Sequence, residues 1–576
     1  MTIDFTFKVG GEAGQGLQSI GYALSKAFAK GGLYVFLNQD YESRIRGGHT
    51  FVQVRVRNEP VYTLSEEVNM LIALNKETID LHKNELVKSG AIIFDGDKIP
   101  IKAEDSYYSV PLEKLALEKG GSKIMINTVA TGAAMGMLDY DFNLLADVLS
   151  EEFGRKGKDV VESNVKAARA GYDYAKENYR GKYDFTIRSL GSSKRMFLNG
   201  GEAISTGVIV AGCKFMAGYP MTPTSPILEF FASKARDYNL VFVQSEDELA
   251  AINMVIGAGY VGVRAMTATA GDGFALMVEG LGQAGMTETP IVAVVGQRPG
   301  PAVGLPTRTS QADLLFMIRA GNDEFPRAVF TPGTIEDAFW LTIKAFNIAE
   351  KYQIPVIILI DQHLADSYRT VDRFDLSKVK IERGEMLSEE QIRAMGLYNY
   401  KRHQFTESGV SPRAIPGTPG CLVVTDADEH NEEGHIIEDA ETRTKMVLKR
   451  LKKFEGVKKE IEPPKIYGPE DAKITLIGWG STYGAIREAV DTLRKVGIDV
   501  NMLYINVVWP FPKDEISSVL SKAEMSFVIE NNATGQLAYL IKSETGREVN
   551  EKILKFDGRP FSPTHIVKEV KEKVKG

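Results

Sequence analysis

Apolar residues along this chain fall into two alternating patterns. Short, dense runs of valine, isoleucine, leucine and phenylalanine end in glycine or charge and predict buried strands; between them, apolar residues at helical spacing predict helices. In the first block, roughly residues 1–190, the segments DFTFKVGG (4–11), LYVFLNQDY (33–41), HTFVQVRVR (49–57), MLIALN (70–75) and GAIIFDGD (90–97) read as strands. GLQSIGYALSKAFAKGG (16–32) reads as a helix stopped by glycines, and GKDVVESNVKAARAGYDYAKENY (157–179) as a charged helix closing the block. This alternation predicts an α/β unit with a largely parallel sheet.

The alternation resumes near MFLNGGEAISTGVIVAGCKFM (196–216) and continues through TPIVAVVG (289–296) and IPVIILIDQ (354–362). Residues 366–468 break it: they are rich in charge, proline and glycine, and include SPRAIPGTPG (411–420) and a basic helix, RTKMVLKRLKKFEG (443–456). From 469 to 576 a last compact block reads as strands AKITLIGWG and IDVNMLYINVVWPF, an amphipathic helix STYGAIREAVDTLRKVG, and a strand MSFVIENN. The expected fold class is α/β, several doubly wound modules in a row, divided at 1–190, 196–365, 366–468 and 469–576.

The chain's 576 residues are enough for about three to five domains. A net charge of −7 gives no bulk attraction to nucleic acid. Cys213 and Cys421 are the only cysteines, too few for an iron–sulfur cluster, which takes about four. No secretory pattern opens the sequence, and no apolar run reaches the roughly 18 residues of a membrane span, so a cytoplasmic location is expected.

Candidate chemistry lies in the turns. VGGEAGQG (9–16) follows a strand and opens a helix, where backbone N–H groups can meet a phosphate; tight strand–helix packing is the competing explanation. DYESRIRGGHTF (40–51) sets Arg44, Arg46 and His49 beside a glycine pair, as an anion site, an interface or a solvated turn. AGDGF (270–274) suggests a metal–diphosphate motif, but QRPGPAV (297–303) lacks the asparagine such a motif requires, so Asp272 reads as a turn residue. SEDELAAINMVIGAG (245–259) puts Glu246, Asp247 and Glu248 at the start of a buried helix, where a carboxylate needs a partner or a shifted pKa. In AGYPMTPTSP (217–226), Pro220 and Pro223 bracket Thr222 and stiffen it; GLPTRTSQADL (304–314) presents Arg308 beside Pro306. A serine hydrolase is excluded because GWGSTYG is not G-x-S-x-G, and the seven histidines lack zinc spacing.

Taken in order, these motifs resemble the 2-oxoacid:ferredoxin oxidoreductases, as an α subunit with a γ domain at its N-terminus. GGEAGQG and ESRIRGGH carry the γ-like part. AGYPMTP, EDELAAINMVIGA, GLPTRTSQADL and DQHLADS carry the α-like part, a pyrimidine-type thiamine-diphosphate-binding domain. IGWGSTYGAIREA and IENNATGQLAYLI resemble its transketolase C-terminal-like domain. The family has a Ser-Gly-Pro-Gly type of turn where this chain has AGDG, so no special role is expected for Asp272.

The resemblance implies CoA-dependent oxidative decarboxylation of a 2-oxoacid on thiamine diphosphate, with electrons passing singly through a [4Fe–4S] cluster to ferredoxin. It implies a β subunit that binds Mg²⁺, the diphosphate and the cluster, in an (αβ)₂ assembly. It implies no metal, nucleic-acid or membrane site on this chain. Glu248, with Glu246 as second candidate, matches the glutamate that hydrogen-bonds the pyrimidine nitrogen. Tyr219 and Pro220 would border the cofactor, Thr222 would hydrogen-bond the substrate, and Arg308 would hold its carboxylate. 2-Oxoglutarate is the favoured substrate, with pyruvate or a broad range as alternatives. Two rival readings remain at this point: a transketolase-like carboligase subunit, and a non-enzymatic nucleotide-binding scaffold.

Overall fold

A computed structural model describes residues 3–43, 47–102, 105–396 and 398–575. Two compact units result. The first comprises Met1–Asn199, Asp366–Phe374 and Ser562–His565; the second comprises Gly200–Ala365, Asp375–Phe561 and Ile566–Gly576.

The first unit is built on an eight-stranded sheet. Four strands run parallel in the order Tyr107–Ser109, Leu86–Phe94, Val68–Ala73 and Asp4–Glu12. From Asp4–Glu12 outward the pairing is antiparallel, through His49–Arg57, Tyr34–Asp40, Tyr368–Val371 and Met196–Asn199. The expectation of a largely parallel sheet is therefore corrected to a mixed one. The reason is the connection between Tyr34–Asp40 and His49–Arg57, residues 41–48, which is too short for the crossover of about a dozen residues that parallel neighbours need.

Helices Leu17–Lys30, Ile126–Met137, Phe142–Phe153 and Lys158–Tyr179 supply the other half of this unit's main core, meeting Phe5, Phe7 and Val9 of the sheet. Ile126–Met137 and Lys158–Tyr179 pack backbone to backbone. A methyl group at Gly132 would lie 1.9 Å from the Ala168 carbonyl oxygen, so glycine is required there.

The second unit contains two sheets. Seven strands run in the order Val507–Trp509, Ala328–Phe330, Pro355–Asp361, Ile291–Gln297, Ala265–Ala270, Phe215–Gly218 and Val241–Gln244. All are parallel except Val507–Trp509, which the C-terminal part of the chain lends antiparallel to Ala328–Phe330. The central strands are buried throughout, as their unbroken apolar sequences require. Five strands form the other sheet: Lys465–Tyr467, Val500–Ile505, Ile474–Trp479, Met525–Glu530 and Glu551–Leu554, parallel but for the first. One core includes residues of both sheets, among them Val295, Leu359, Trp479 and Ile505.

In the seven-stranded sheet, the strand following Phe215–Gly218 lies on one side of it and the next strand on the other. Such a reversal opens a crevice at the C-terminal strand ends, where α/β folds bind ligands.

The irregular stretch after 365 carries more structure than its composition suggests. It includes the strand Tyr368–Val371 and the helices Glu389–Met395 and Ala440–Glu460. The last of these buries Lys449 and Lys453 against Glu288. His403 Nδ1 lies 2.8 Å from the same carboxylate, and the His430 ring lies against His403, tilted 45° with centroids 4.0 Å apart. Burial opposes ionisation of Glu288, yet Lys449, Lys453 and His403 hold its carboxyl well below the usual range. Burial lowers the Lys453 pKa to about 7 against the pull of Glu288. Ligand atoms of Glu288, His403 and His430 lie within 4.8 Å of one another, but two ammonium groups already occupy the Glu288 oxygens. The cluster is thus an ion network that fastens the connecting helix to the core. Among the described residues, no helix is long and apolar enough to cross a membrane.

Candidate functional site

The turn after Phe215–Gly218 opens the crevice. Tyr219 and Pro220 are exposed, Met221 and Thr222 are half-buried, and Pro223 and Thr224 are buried. The backbone N–H groups of Thr224 and Ser225 and the Thr224 hydroxyl all donate to the Met221 carbonyl, at 2.8–2.9 Å. This winds the turn into the helix Ser225–Ser233. The Thr222 carbonyl accepts a 2.8 Å hydrogen bond from Arg298 Nη1.

Three adjacent acids at the next helix start take different roles. Glu246 is exposed. Asp247 is the N-cap of Glu248–Tyr260, its side chain accepting from Ala250 N at 2.7 Å. Glu248 is 3% exposed, and its buried Oε1 has no hydrogen-bond partner among the described residues. Burial raises its pKa; a backbone hydrogen bond opposes the rise, and the Asp272 and Asp247 carboxylates add to it. That oxygen faces Gly273, where a Cβ would lie 2.6 Å from it, 2.1 Å from Thr269 Oγ1 and 2.9 Å from Met221 Sδ. The glycine keeps this cradle open, and an unpaired buried carboxyl oxygen calls for a hydrogen-bond partner.

Asp272 corrects the reading of AGDG as a plain turn. It lies in the first turn of the helix Gly271–Leu276, and its Oδ2 takes a 2.8 Å hydrogen bond from Arg298 Nη2. Arg298 therefore grips Asp272 and Thr222 with separate nitrogens. Sequence reasoning did not single out Arg298, and an arginine after a buried strand carries no local sign of such partners. Asp313 is close by: a Cβ on Gly271 would lie 2.4 Å from its Oδ2. Burial pushes the Asp313 pKa up to about 6, the Asp272 carboxylate adds to this, and Arg298 offsets it.

Arg308 is half-buried on a loop with its own support. The loop is clipped by Gln311, whose Nε2 donates to the Trp479 carbonyl at 2.8 Å and whose own carbonyl accepts from Asn532 Nδ2 at 3.0 Å. Asn532 in turn donates to the fully buried Glu530, which also accepts backbone N–H bonds from Leu537 and Ala538. The NNATGQL segment thus anchors the Arg308 loop, a function its sequence does not reveal. Glu248, Asp272, Arg298 and Thr222 are brought together at the crevice; Arg308 is held by this second framework.

In the first unit, the helix Leu17–Lys30 begins after Gly16, at φ 72°, with no side-chain cap. A Cβ on Gly16 would strike Asn127 Nδ2 at 2.1 Å. A cavity of about 590 Å³ opens here, lined by Gly14, Ser19, Asn127, Lys123 and Lys156 among others. The candidates Arg44 and Arg46 lie outside the described residues. His49 Nε2 is 2.8 Å from His82 Nε2, and His82 Nδ1 is 2.7 Å from Glu85 Oε1.

Family models match nearly the whole chain. Residues 206–449 match the thiamine-diphosphate-binding domain of pyruvate flavodoxin/ferredoxin oxidoreductases. Residues 6–174 match a second pyruvate ferredoxin/flavodoxin oxidoreductase domain, and residues 472–566 match core domain II of pyruvate:ferredoxin oxidoreductase. The chain is 35% identical to the α subunit of a 2-oxoacid:ferredoxin oxidoreductase from Sulfolobus sp, covering 96% of this chain and 94% of that one. It is 29% identical to the 2-oxoglutarate oxidoreductase subunit KorA of Mycobacterium tuberculosis, covering 98% and 91%. Among solved structures it resembles the 2-oxoglutarate:ferredoxin oxidoreductase of Magnetococcus marinus, determined with 2-oxoglutarate, coenzyme A and succinyl-CoA bound. That match has a TM-score of 0.91, 32% identity and 99% coverage of both chains.

Proposed function

The chain belongs to the 2-oxoacid:ferredoxin oxidoreductase family as an α subunit, and we propose that it holds the aminopyrimidine half of a thiamine diphosphate site completed by a β subunit. The reaction proposed is conversion of a 2-oxoacid and coenzyme A to acyl-CoA and CO₂, with reduction of ferredoxin. The observation that carries this reading is Glu248: a buried carboxyl with a raised pKa and an unpartnered oxygen, at the head of a helix in the sheet's crevice. Those residues fit a pyrimidine ring, whose nitrogen would supply the missing partner.

Bound thiamine diphosphate would supply the carbanion chemistry of decarboxylation. Burial raises the Glu248 pKa, and its unpartnered carboxyl oxygen would hydrogen-bond the pyrimidine nitrogen and hold a proton at that atom. Tyr219 and Pro220 line the approach to the ring. Thr222, stiffened by its prolines, offers its hydroxyl to the 2-oxoacid; Arg308 pairs with the substrate carboxylate and orients it. Mg²⁺, the diphosphate grip and the [4Fe–4S] cluster are assigned to the β subunit, since this sequence has neither the paired asparagine nor enough cysteines.

We propose that the phosphates of coenzyme A bind in the first unit's cavity, where the uncapped N-terminus of Leu17–Lys30 and Lys156 supply positive charge, Lys123 being already paired with Glu113. The domains are read as a γ-type domain at 1–190, the pyrimidine-binding domain at 196–365, the connecting segment at 366–468 and the transketolase C-terminal-like domain at 469–576. 2-Oxoglutarate is the proposed substrate, supported by the likeness to the Magnetococcus enzyme; pyruvate is the second reading, supported by the names of the matching family models. An (αβ)₂ complex in the cytoplasm, delivering electrons to ferredoxin, completes the proposal.

Reconstitution tests it. The chain expressed with its β subunit should reduce viologen on addition of 2-oxoglutarate and coenzyme A, and the chain alone should not. Decarboxylation by the isolated chain would overturn the shared site.

A further inference from the structure

We propose that Asp272 is a positioning residue: acting through Arg298, it holds the substrate-binding turn so that Thr222 meets the 2-oxoacid in a fixed pose. The inference rests on the reading of Thr222 as the residue that hydrogen-bonds the substrate.

The turn around Thr222 is stiff, but its backbone hydrogen-bond donors are spent within the turn. Pro220 and Pro223 lack N–H groups, and the backbone donors of Thr224 and Ser225 converge on the Met221 carbonyl. The Thr222 carbonyl instead receives Arg298 Nη1 at 2.8 Å, from a residue directly after the strand Ile291–Gln297. A guanidinium is planar, and the directions of its N–H groups are fixed relative to one another. Orienting one side of it therefore orients the other. Asp272 Oδ2 does so, 2.8 Å from Nη2.

Asp272 is itself rigidly placed. It follows the fully buried strand Ala265–Ala270 and sits between two glycines that are packed closely against neighbours, Gly271 against Asp313 and Gly273 against Glu248 and Thr269. The pair is largely shielded from water, the side chains being 6% exposed for Arg298 and 17% for Asp272. The C-terminal ends of three parallel strands are thereby tied at one guanidinium. An asparagine at 272 keeps the shape and removes the charge that draws the guanidinium in. A lysine at 298 keeps the charge and loses the two-sided grip.

The test uses the complete αβ enzyme carrying D272N, D272E, R298K, T222A and the double variant D272N/T222A. The KM for 2-oxoacid, kcat and melting temperature are measured for each. D272N and R298K should each raise KM about tenfold or more; R298K, which leaves the Asp272 charge beside Glu248 in place, should keep kcat within about threefold, and D272E should recover part of the KM loss. In the T222A background, D272N should add almost nothing, because the hydroxyl it positions is gone. Wild-type KM in D272N and R298K would overturn the proposal, as would D272N and T222A effects that multiply independently. Should D272N melt below the assay temperature, R298K and R298K/T222A decide by the same criteria. If T222A alone keeps the wild-type KM, the substrate reading fails, and the positioning role falls with it.

Discussion

Gln311 and Asn531 exchange two hydrogen bonds across the second unit: the Gln311 backbone N–H donates to the Asn531 carbonyl at 2.8 Å, and Gln311 Oε1 accepts from Asn531 N at 3.0 Å. Each lies on a segment with its own separate strand, so the pair joins the Arg308 loop to the five-stranded sheet. Gln311→Ala deletes the side-chain half of this clip and leaves the buried Trp479 carbonyl and Asn531 N–H without that partner. The Trp479 carbonyl keeps Thr482 Oγ1 at 2.7 Å, so we expect a loss of about 1–3 kcal/mol of stability and a rise in KM for 2-oxoacid. Melting temperature and steady-state kinetics of the αβ enzyme check both, and an unchanged KM would detach Arg308 from substrate binding.

Glu288 provides a stability test remote from the crevice. Glu288→Gln removes the countercharge of the buried Lys449 and Lys453. The expected cost is about 3–5 kcal/mol, seen as a large drop in melting temperature.

Asp313 gives a pH-dependent prediction. Its folded pKa, about 6, is above the ordinary aspartate value of 3.8. The folded state then binds more protons than the unfolded one between these values, so this group's contribution is fully present below about pH 4 and is lost as pH rises through about 6. Asp313→Asn cannot ionise. Its stability relative to wild type should increase from pH 4 to 7 by up to about 3 kcal/mol, one pKa unit being worth about 1.4 kcal/mol. Melting curves at several pH values measure this directly, and a pH-independent difference would contradict it.

Lys156 tests the coenzyme A assignment. Lys156→Ala should raise the KM for coenzyme A about tenfold, as expected for loss of one charge-assisted contact, and leave the KM for 2-oxoacid unchanged. Equal effects on both substrates would remove the cavity from consideration as the coenzyme site.

How much of this was visible in the residues differs from element to element. That a carboxylate enters a buried helix here was legible, because a run of acids leads into small and apolar residues; which of the three acids is buried needed coordinates. Arg298 was not legible, since its partners Asp272 and Thr222 come from two other strand ends, and contacts between strand ends leave no local pattern. The partners of Asp272 are hidden for the same reason: flanking glycines suggest a turn, whereas here they allow close packing at the start of a helix. Strand direction in the first unit was equally hidden, because the alternation in HTFVQVRVR suits either direction. Nor could the sequence show that Tyr368–Val371, more than a hundred residues beyond the first block, completes that block's sheet.

The most direct measurement is the activity of Glu248→Gln in the reconstituted αβ enzyme, read as 2-oxoacid-dependent viologen reduction at saturating thiamine diphosphate, with circular dichroism confirming the fold. A fall of about 100-fold or more in kcat is predicted, because an amide cannot exchange a proton with the pyrimidine nitrogen as a carboxyl group can. Wild-type turnover in that variant would contradict the central claim that this chain activates the cofactor through Glu248.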